Sequence, residues 1–234
     1  MIDAFAYGFL ISLVIVLYAH HEGALNTSGS FSALVTGTLM LGFGGWVGYI
    51  ALMLFFIPTS LFPLSDSEEG GRSGRQVLGK SLIALFFAVL HYYLGDPLWL
   101  MFMIASLAAS AADTWSSIIG RAYGGTTRIL PTFKKVNKGT PGGVSLYGFL
   151  VALIASFVFA LYHFIVFNSL LSIVIIWVIG TLNTLIDSLL NSLRHKEASK
   201  APMKWCSFID SAFMNFLSNA LSMLVLFGLV VWLL

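Results

Sequence analysis

Residues 31–62 read FSALVTGTLMLGFGGWVGYIALMLFFIPTSLF and contain no charged side chain. At 1.5 Å per residue a straight helix over this stretch would be about 48 Å long, against a hydrocarbon layer of about 30 Å. The run is too long for one membrane span. Gly42-Phe43-Gly44-Gly45 has the backbone freedom for a tight reversal, which predicts two spans, 30–44 and 45–62. The alternative is one long tilted helix followed by a re-entrant piece.

Apolar runs of similar character recur along the chain. They predict about eight transmembrane helices, roughly 2–19, 30–44, 45–62, 79–95, 97–112, 144–166, 169–190 and 211–233. The fold class is therefore all-α, a polytopic integral membrane helical bundle. A hydrophobic content of 58% and a mean hydropathy of +0.92 leave no room for a separate soluble domain, so 1–234 reads as a single membrane-embedded domain. The run 2–19 lacks the basic flank of a cleaved signal peptide and reads as a retained helix. The single cysteine, Cys206, excludes an internal disulfide and offers no metal-binding spacing.

The 12 Lys and Arg residues orient this bundle. They fall in three groups: Arg72, Arg75 and Lys80; Arg121, Arg128, Lys134, Lys135 and Lys138; Arg194, Lys196, Lys200 and Lys204. With eight helices these groups share one side, which the positive-inside rule makes cytoplasmic. The expected location is the plasma membrane, with both termini outside. The plainest role of such loops is topogenesis and contact with anionic lipid heads.

Polar residues within the spans point further. Residues 112–145, ADTWSSIIGRAYGGTTRILPTFKKVNKGTPGGVS, read as a polar loop with an acid at its mouth and a basic cluster in its middle. Carboxylates inside a membrane are costly and usually functional. Asp113 continues a stripe with Ser106, Ser110 and Ser117. Asp187 shares a helical face with Gly180, Asn183, Asn191 and Arg194, and the last helix carries Ser211, Asn215, Ser218 and Ser222, with Asn219 beside them. Two acids beneath basic loops suit a metal–phosphate site: hard oxygens for Mg²⁺ and cations for phosphoryl charge. Gly139-Thr140-Pro141-Gly142-Gly143 is expected to open the sixth helix, with backbone N–H groups free to approach phosphate.

Other motifs carry less. Gly74-Arg75-Gln76-Val77-Leu78-Gly79-Lys80-Ser81 matches the P-loop pattern, yet acidic residues rather than a buried strand precede it and a membrane helix follows. A looser role for Lys80 at a helix start survives. His20-His21-Glu22 reads as an interfacial polar cluster. His91 and His163 read as satisfied within the bundle. Nothing suggests a Ser-His-Asp triad, a cysteine nucleophile or a nucleic-acid-binding face.

Several short motifs then follow one another along nearly the whole chain. They are Ser28-Gly29 before an apolar helix; Glu69-Gly70-Gly71-Arg72 with Gln76-Val77-Leu78; and Ala112-Asp113-Thr114-Trp115 with Gly120. Val136 with residues 138–145, Ile186-Asp187-Ser188-Leu189-Leu190 and Asn215-Phe216-Leu217 complete the series. Together they resemble the integral membrane family of unknown function that includes plant phytyl-phosphate kinase and transmembrane protein 19. The resemblance implies a prenyl- or polyprenyl-phosphate kinase that moves a phosphoryl group from CTP, or a similar nucleotide, to an isoprenoid monophosphate.

On that resemblance Asp113 and Asp187 hold Mg²⁺ or position the reacting phosphates, and Arg72, Lys135 and Lys138 neutralise charge. Gly139, Thr140, Gly142 and Gly143 cradle phosphate, and Gln76 and Asn215 add polar contacts. Gly71, Lys80, Thr114, Gly120 and Ser188 complete the expected substrate and nucleotide contacts. The implied partners are the lipid phosphate, the nucleotide and membrane lipids. Three positions depart from the family pattern: Ile118 stands for its Glu, Lys80 for its Asn and Asn191 for its Gly. The rival expectations are a non-catalytic transporter, flippase or scaffold for anionic lipid, and a kinase acting on a free lipid alcohol.

Overall fold

The computed structural model of the protein describes residues 2–62, 70–198 and 210–233. Glu69 of the motif series, together with Lys200, Lys204 and Cys206, lies outside them. Among the described residues seven helices are long and apolar enough to cross a membrane. They are α1 (Ile2–His21), α2 (Thr27–Leu61), α3 (Gly74–Leu94), α4 (Leu98–Tyr123), α5 (Leu146–Phe167), α6 (Leu170–Ala198) and α7 (Ser211–Leu233). Three short strands stand between α4 and α5: β1 (Thr127–Ile129), β2 (Lys134–Val136) and β3 (Gly143–Ser145).

The long second helix bears out the predicted reversal. Its helical geometry fails at Gly45, at φ 60° and ψ −164°, a region essentially reserved for glycine. Gly37 and Tyr49 would lie about 18 Å apart along a straight helix. Instead both reach Ser12: Tyr49 Oη is 3.1 Å from Ser12 Oγ, and a Cβ on Gly37 would run into that same hydroxyl. Ala33, Leu34 and Phe56 likewise pack on one cluster with Val16, Ala19 and Leu25. The arms 27–44 and 46–61 therefore lie side by side.

Helix α4 is the axis of the bundle. Every residue from Leu100 to Asp113 is buried, because α2, α3, α5, α6 and α7 all pack on it. Small side chains allow close approach, the usual device where lipid offers helices no hydrophobic drive to associate. A Cβ on Gly180 of α6 would lie 2.7 Å from Ser156 Cβ of α5 and 3.3 Å from Ala108 Cβ of α4. The outward faces carry exposed large apolar residues, among them Leu10, Val14, Phe86, Ile154, Leu171 and Trp232.

Several boundary expectations need correction, and the simplest is that α6 runs to Ala198 rather than 190. Helix α3 begins at Gly74 rather than 79, because Gln76 Oε1 accepts the Ser73 N–H at 2.8 Å and so satisfies an orphan donor of the first turn. The P-loop look-alike is thus helical throughout, and Lys80 stands in its second turn. Helix α4 continues to Tyr123, so the first part of the polar segment is helix. The rest of the segment is not loop alone: β1 is the middle strand of an antiparallel sheet in the order β2-β1-β3. Residues 139–142 lead into β3 instead of opening the next helix as expected, and α5 starts after Ser145, whose Oγ accepts the Gly148 N–H at 3.2 Å. Of the two histidines expected to be satisfied within the bundle, His163 is buried with Nδ1 2.8 Å from Ser172 Oγ, whereas His91 is only half-buried and meets Asp96 O of the following turn at 3.0 Å.

Candidate functional site

The polar stripes do two jobs, divided by depth. Their deeper members zip α4, α6 and α7 together. Asn219 Nδ2 donates to Ser106 O at 3.0 Å and to Ser110 Oγ at 2.9 Å, and Ser106 Oγ donates to Asn219 Oδ1 at 3.0 Å. Asn183 Nδ2 donates to Ala109 O at 3.0 Å, while Ser222 Oγ donates to Asn183 Oδ1 at 3.0 Å. Buried polar groups need such partners, so this pairing holds the three helices in register. One turn higher the same stripes emerge into a cavity as Asp113, Ser117, Asp187, Asn191 and Asn215.

That cavity has a volume of about 530 Å³. One side is apolar, built by α1 and both arms of α2 through Ile15, Val16, Ala33, Leu52, Phe55 and Phe56. The other side carries charge. Lys80 Nζ forms an ion pair with Asp113 Oδ2, and both are charged neighbours of Asp187. Asp187 Oδ1 accepts from Ser218 Oγ at 3.1 Å and Oδ2 from Asn191 Nδ2 at 2.8 Å. Arg72, Arg121 and Arg194 also line the wall. Four cationic side chains against two carboxylates leave the site formally positive, which suits an anionic ligand.

Most of the expected site residues converge here. Arg72, Gln76, Lys80, Asp113, Thr114, Gly120, Gly139, Thr140, Gly142, Gly143, Asp187, Ser188 and Asn215 all line the cavity. Three do not. Gly71, at φ 94°, packs where a Cβ would lie 2.6 Å from Leu25 C; it serves the bridge between Leu25 and Arg72 and so sets the place of Arg72. Lys135 pairs with Arg128 across the strands, and strand alternation sends it to the opposite face from Thr127 and Ser145. Lys138 is exposed in the turn after β2.

Some residues inside the cavity also have structural tasks. Thr114 Oγ1 donates to Ser110 O at 2.7 Å, and Thr140 Oγ1 to Asn137 O at 2.8 Å. Gly142, at φ 79°, lets its turn lie on α6, where a Cβ would come 2.6 Å from Ser188 O. A Cβ on Gly120 would meet Ser145 Oγ at 3.1 Å and Gly148 Cα at 3.4 Å, so this glycine permits the α4–α5 contact.

Arg121 and Arg194 were missed as site residues, though each had a signal. Arg194 ends the stripe that holds Asp187. Arg121 follows Asp113 and Ser117 at helical spacing, which shows only once α4 is known to run past residue 112.

The three departures from the family pattern meet in this cavity. Lys80 and Asn191 contact the two acids directly, and Ile118, 7% exposed, adds an apolar patch to the wall. Among the described residues no group of three or more His, Cys, Asp and Glu could enclose a metal. Asp113 and Asp187 are the two carboxylates of the lining, the hard-oxygen donor type that Mg²⁺ takes.

The comparisons with known proteins agree with this architecture. The chain matches the family model described as integral membrane protein DUF92 over residues 10–221. It is 29% identical to an uncharacterized membrane protein of Methanocaldococcus jannaschii, over 79% of this chain and 80% of that one. It is 32% identical to Protein VTE6, chloroplastic, of Arabidopsis thaliana, over 58% of this chain and 46% of the plant protein. Protein PGR of the same plant is 28% identical over 64% of this chain and 60% of its own length. No solved structure matches. The family model spans most of the bundle and both acid-bearing helices, and on that match the chain belongs to the integral membrane protein DUF92 family.

Proposed function

We propose that the protein is a prenyl- or polyprenyl-phosphate kinase that transfers a phosphoryl group from CTP, or a similar nucleotide, to an isoprenoid monophosphate. The observation that carries this reading is one cavity with an apolar side between α1 and α2 and a cationic side holding two acids. A lipid phosphate has both characters. The motif series, with its resemblance to the family of phytyl-phosphate kinase, supplies the reaction class. The location of every described Lys and Arg toward the cavity end of the bundle, with none in the turns at Gly95-Asp96-Pro97 and Asn168-Ser169, supports a cytoplasmic site in the plasma membrane.

In the reaction a phosphate oxygen of the acceptor attacks the γ-phosphorus of the nucleotide. The new P–O bond forms as the bond to the β–γ bridging oxygen breaks, and the nucleoside diphosphate leaves with that electron pair. A monophosphate is already anionic at neutral pH, so the step needs no strong general base. The protein's task is positioning and charge neutralisation. Arg72, Arg121 and Arg194 offset the phosphate charge, Lys80 is held in place by Asp113, and Ser218 and Asn191 hold the Asp187 carboxylate. Asp113 and Asp187 are the residues that would hold Mg²⁺, which when bound supplies charge stabilisation to the nucleotide phosphates.

The test is transfer of label from [γ-³²P]CTP, with Mg²⁺, to a panel of isoprenoid monophosphates and free prenols by the purified protein. Diphosphate formation is expected, and Asp113→Asn and Asp187→Asn should each remove it while unfolding cooperatively in detergent. No transfer to any acceptor would overturn the kinase reading, and transfer only to the alcohols would replace the acceptor. Ile118, apolar where the family has an acid, favours one second reading: binding or translocation of a lipid phosphate without turnover. Thermal stabilisation by CTP separates the two, since only a ligand of the native state raises its stability.

A further inference from the structure

The small sheet has a second face. On its central strand β1, Arg128 stands directly opposite Lys135 of β2 and Val144 of β3. Directly opposed residues project on the same side, so the two cationic side chains leave the sheet on one face. Like charges in that relation destabilise a sheet, and strands of 3 residues each have little pairing energy with which to offset it. Arg128 is fixed further, because its Nη1 donates to Phe133 O at 2.9 Å.

A groove of about 610 Å³ opens on this face, with no acidic residue in its lining. Leu130, Phe133, Leu146 and Phe149 give it an apolar floor beside the two cations. It lies at the start of the α5 span and outside the bundle: Phe133 is 61% and Leu146 67% exposed. The substrate cavity is on the other side of the sheet, and the two share only Val144, Ser145 and Phe149 in their walls.

We propose that this groove binds an anionic phospholipid of the surrounding membrane. The headgroup phosphate lies between Arg128 and Lys135, and the start of an acyl chain lies along Phe133, Leu146 and Phe149. A phosphate relieves the cross-strand repulsion that the fold has built in. The guanidinium keeps donors free for it beyond the one spent on Phe133 O. The apolar floor at a span's end selects a lipid over a free anion.

The test uses the full chain in detergent micelles mixed with phosphatidylglycerol or with phosphatidylcholine, followed by thermal unfolding and by native mass spectrometry. Phosphatidylglycerol should raise Tm and remain bound. In Arg128→Gln/Lys135→Gln that retention should weaken about thirtyfold, at roughly fivefold for each cation near an anionic headgroup. In phosphatidylcholine alone the double variant should unfold at or above the wild-type temperature, because the repulsion is gone. Lys134→Gln and Lys138→Gln, outside the groove, should leave the lipid response intact. Four results would overturn the proposal: unchanged retention in the double variant, equal loss in the two control variants, the same stabilisation by inorganic phosphate alone, or a double variant much less stable in phosphatidylcholine.

Discussion

Replacing Lys80 by Met would leave Asp113 without its cation in a place where water reaches it poorly. The two side chains are 15% and 8% exposed, so little solvent screening offsets the loss. Breaking a buried ion pair from one side costs about 3–5 kcal/mol. The pair borders a cavity, so the lower end applies, about 3 kcal/mol. For a chain of this length that is a fall in Tm of roughly 6–12 °C. Asp113→Asn added to Lys80→Met removes the stranded charge, so the double variant should regain most of the loss, with a coupling energy of about 1–3 kcal/mol. Dye-monitored unfolding of the four proteins in one detergent measures this cycle. Lys80→Met removes the cation paired with Asp113 beside Asp187, so Mg²⁺ should raise its Tm more than that of the wild type. A Lys80→Met protein as stable as wild type, or losses that simply add in the double variant, would refute the buried-pair argument.

Other consequences follow from single positions. Gly45→Ala forces a Cβ into glycine-only backbone space with nothing within 4 Å of it; about 1–3 kcal/mol should be lost to strain alone, and unchanged thermal unfolding would contradict the reversal. Asn219→Ala removes three hydrogen bonds between α7 and α4; at about 0.6 kcal/mol each in a membrane protein the loss should be near 2 kcal/mol, measured as a shift in unfolding midpoint. Gly142→Ala should push its turn off α6, reducing both Tm and the stabilisation by CTP; an unchanged CTP response would remove this turn from the site.

The helices were legible because their signal is local. Lipid demands long apolar runs with internally paired backbone, and the length of residues 31–62 with Gly42–Gly45 favoured a reversal over one long tilted helix, which the contacts of Ser12 with both arms decided. Asp113 and Asp187 were legible too, since an acid at the end of an apolar helix is rare and a stripe of Ser, Asn and Gly at helical spacing marks the face it shares. Helix ends were less so. The extension of α4 through residue 123 puts Arg121 on the cavity side, and polar sequence near a membrane surface reads alike as helix end or loop.

Sequence alone determined the class of protein and pointed to the reversal and the two acids, because each rests on composition and spacing within one segment. Tertiary structure decided the rest. That Lys80 of α3 neutralises Asp113 of α4, and that Asn191 and Ser218 hold Asp187, depends on contacts between residues far apart in the chain. The same is true of Lys135. Its charge placed it with the phosphate-binding residues, yet pairing between strands of 3 residues turned it away from the cavity and set it beside Arg128. A strand register changes the face of every side chain by a shift of one position, and no local pattern in so short a segment specifies it.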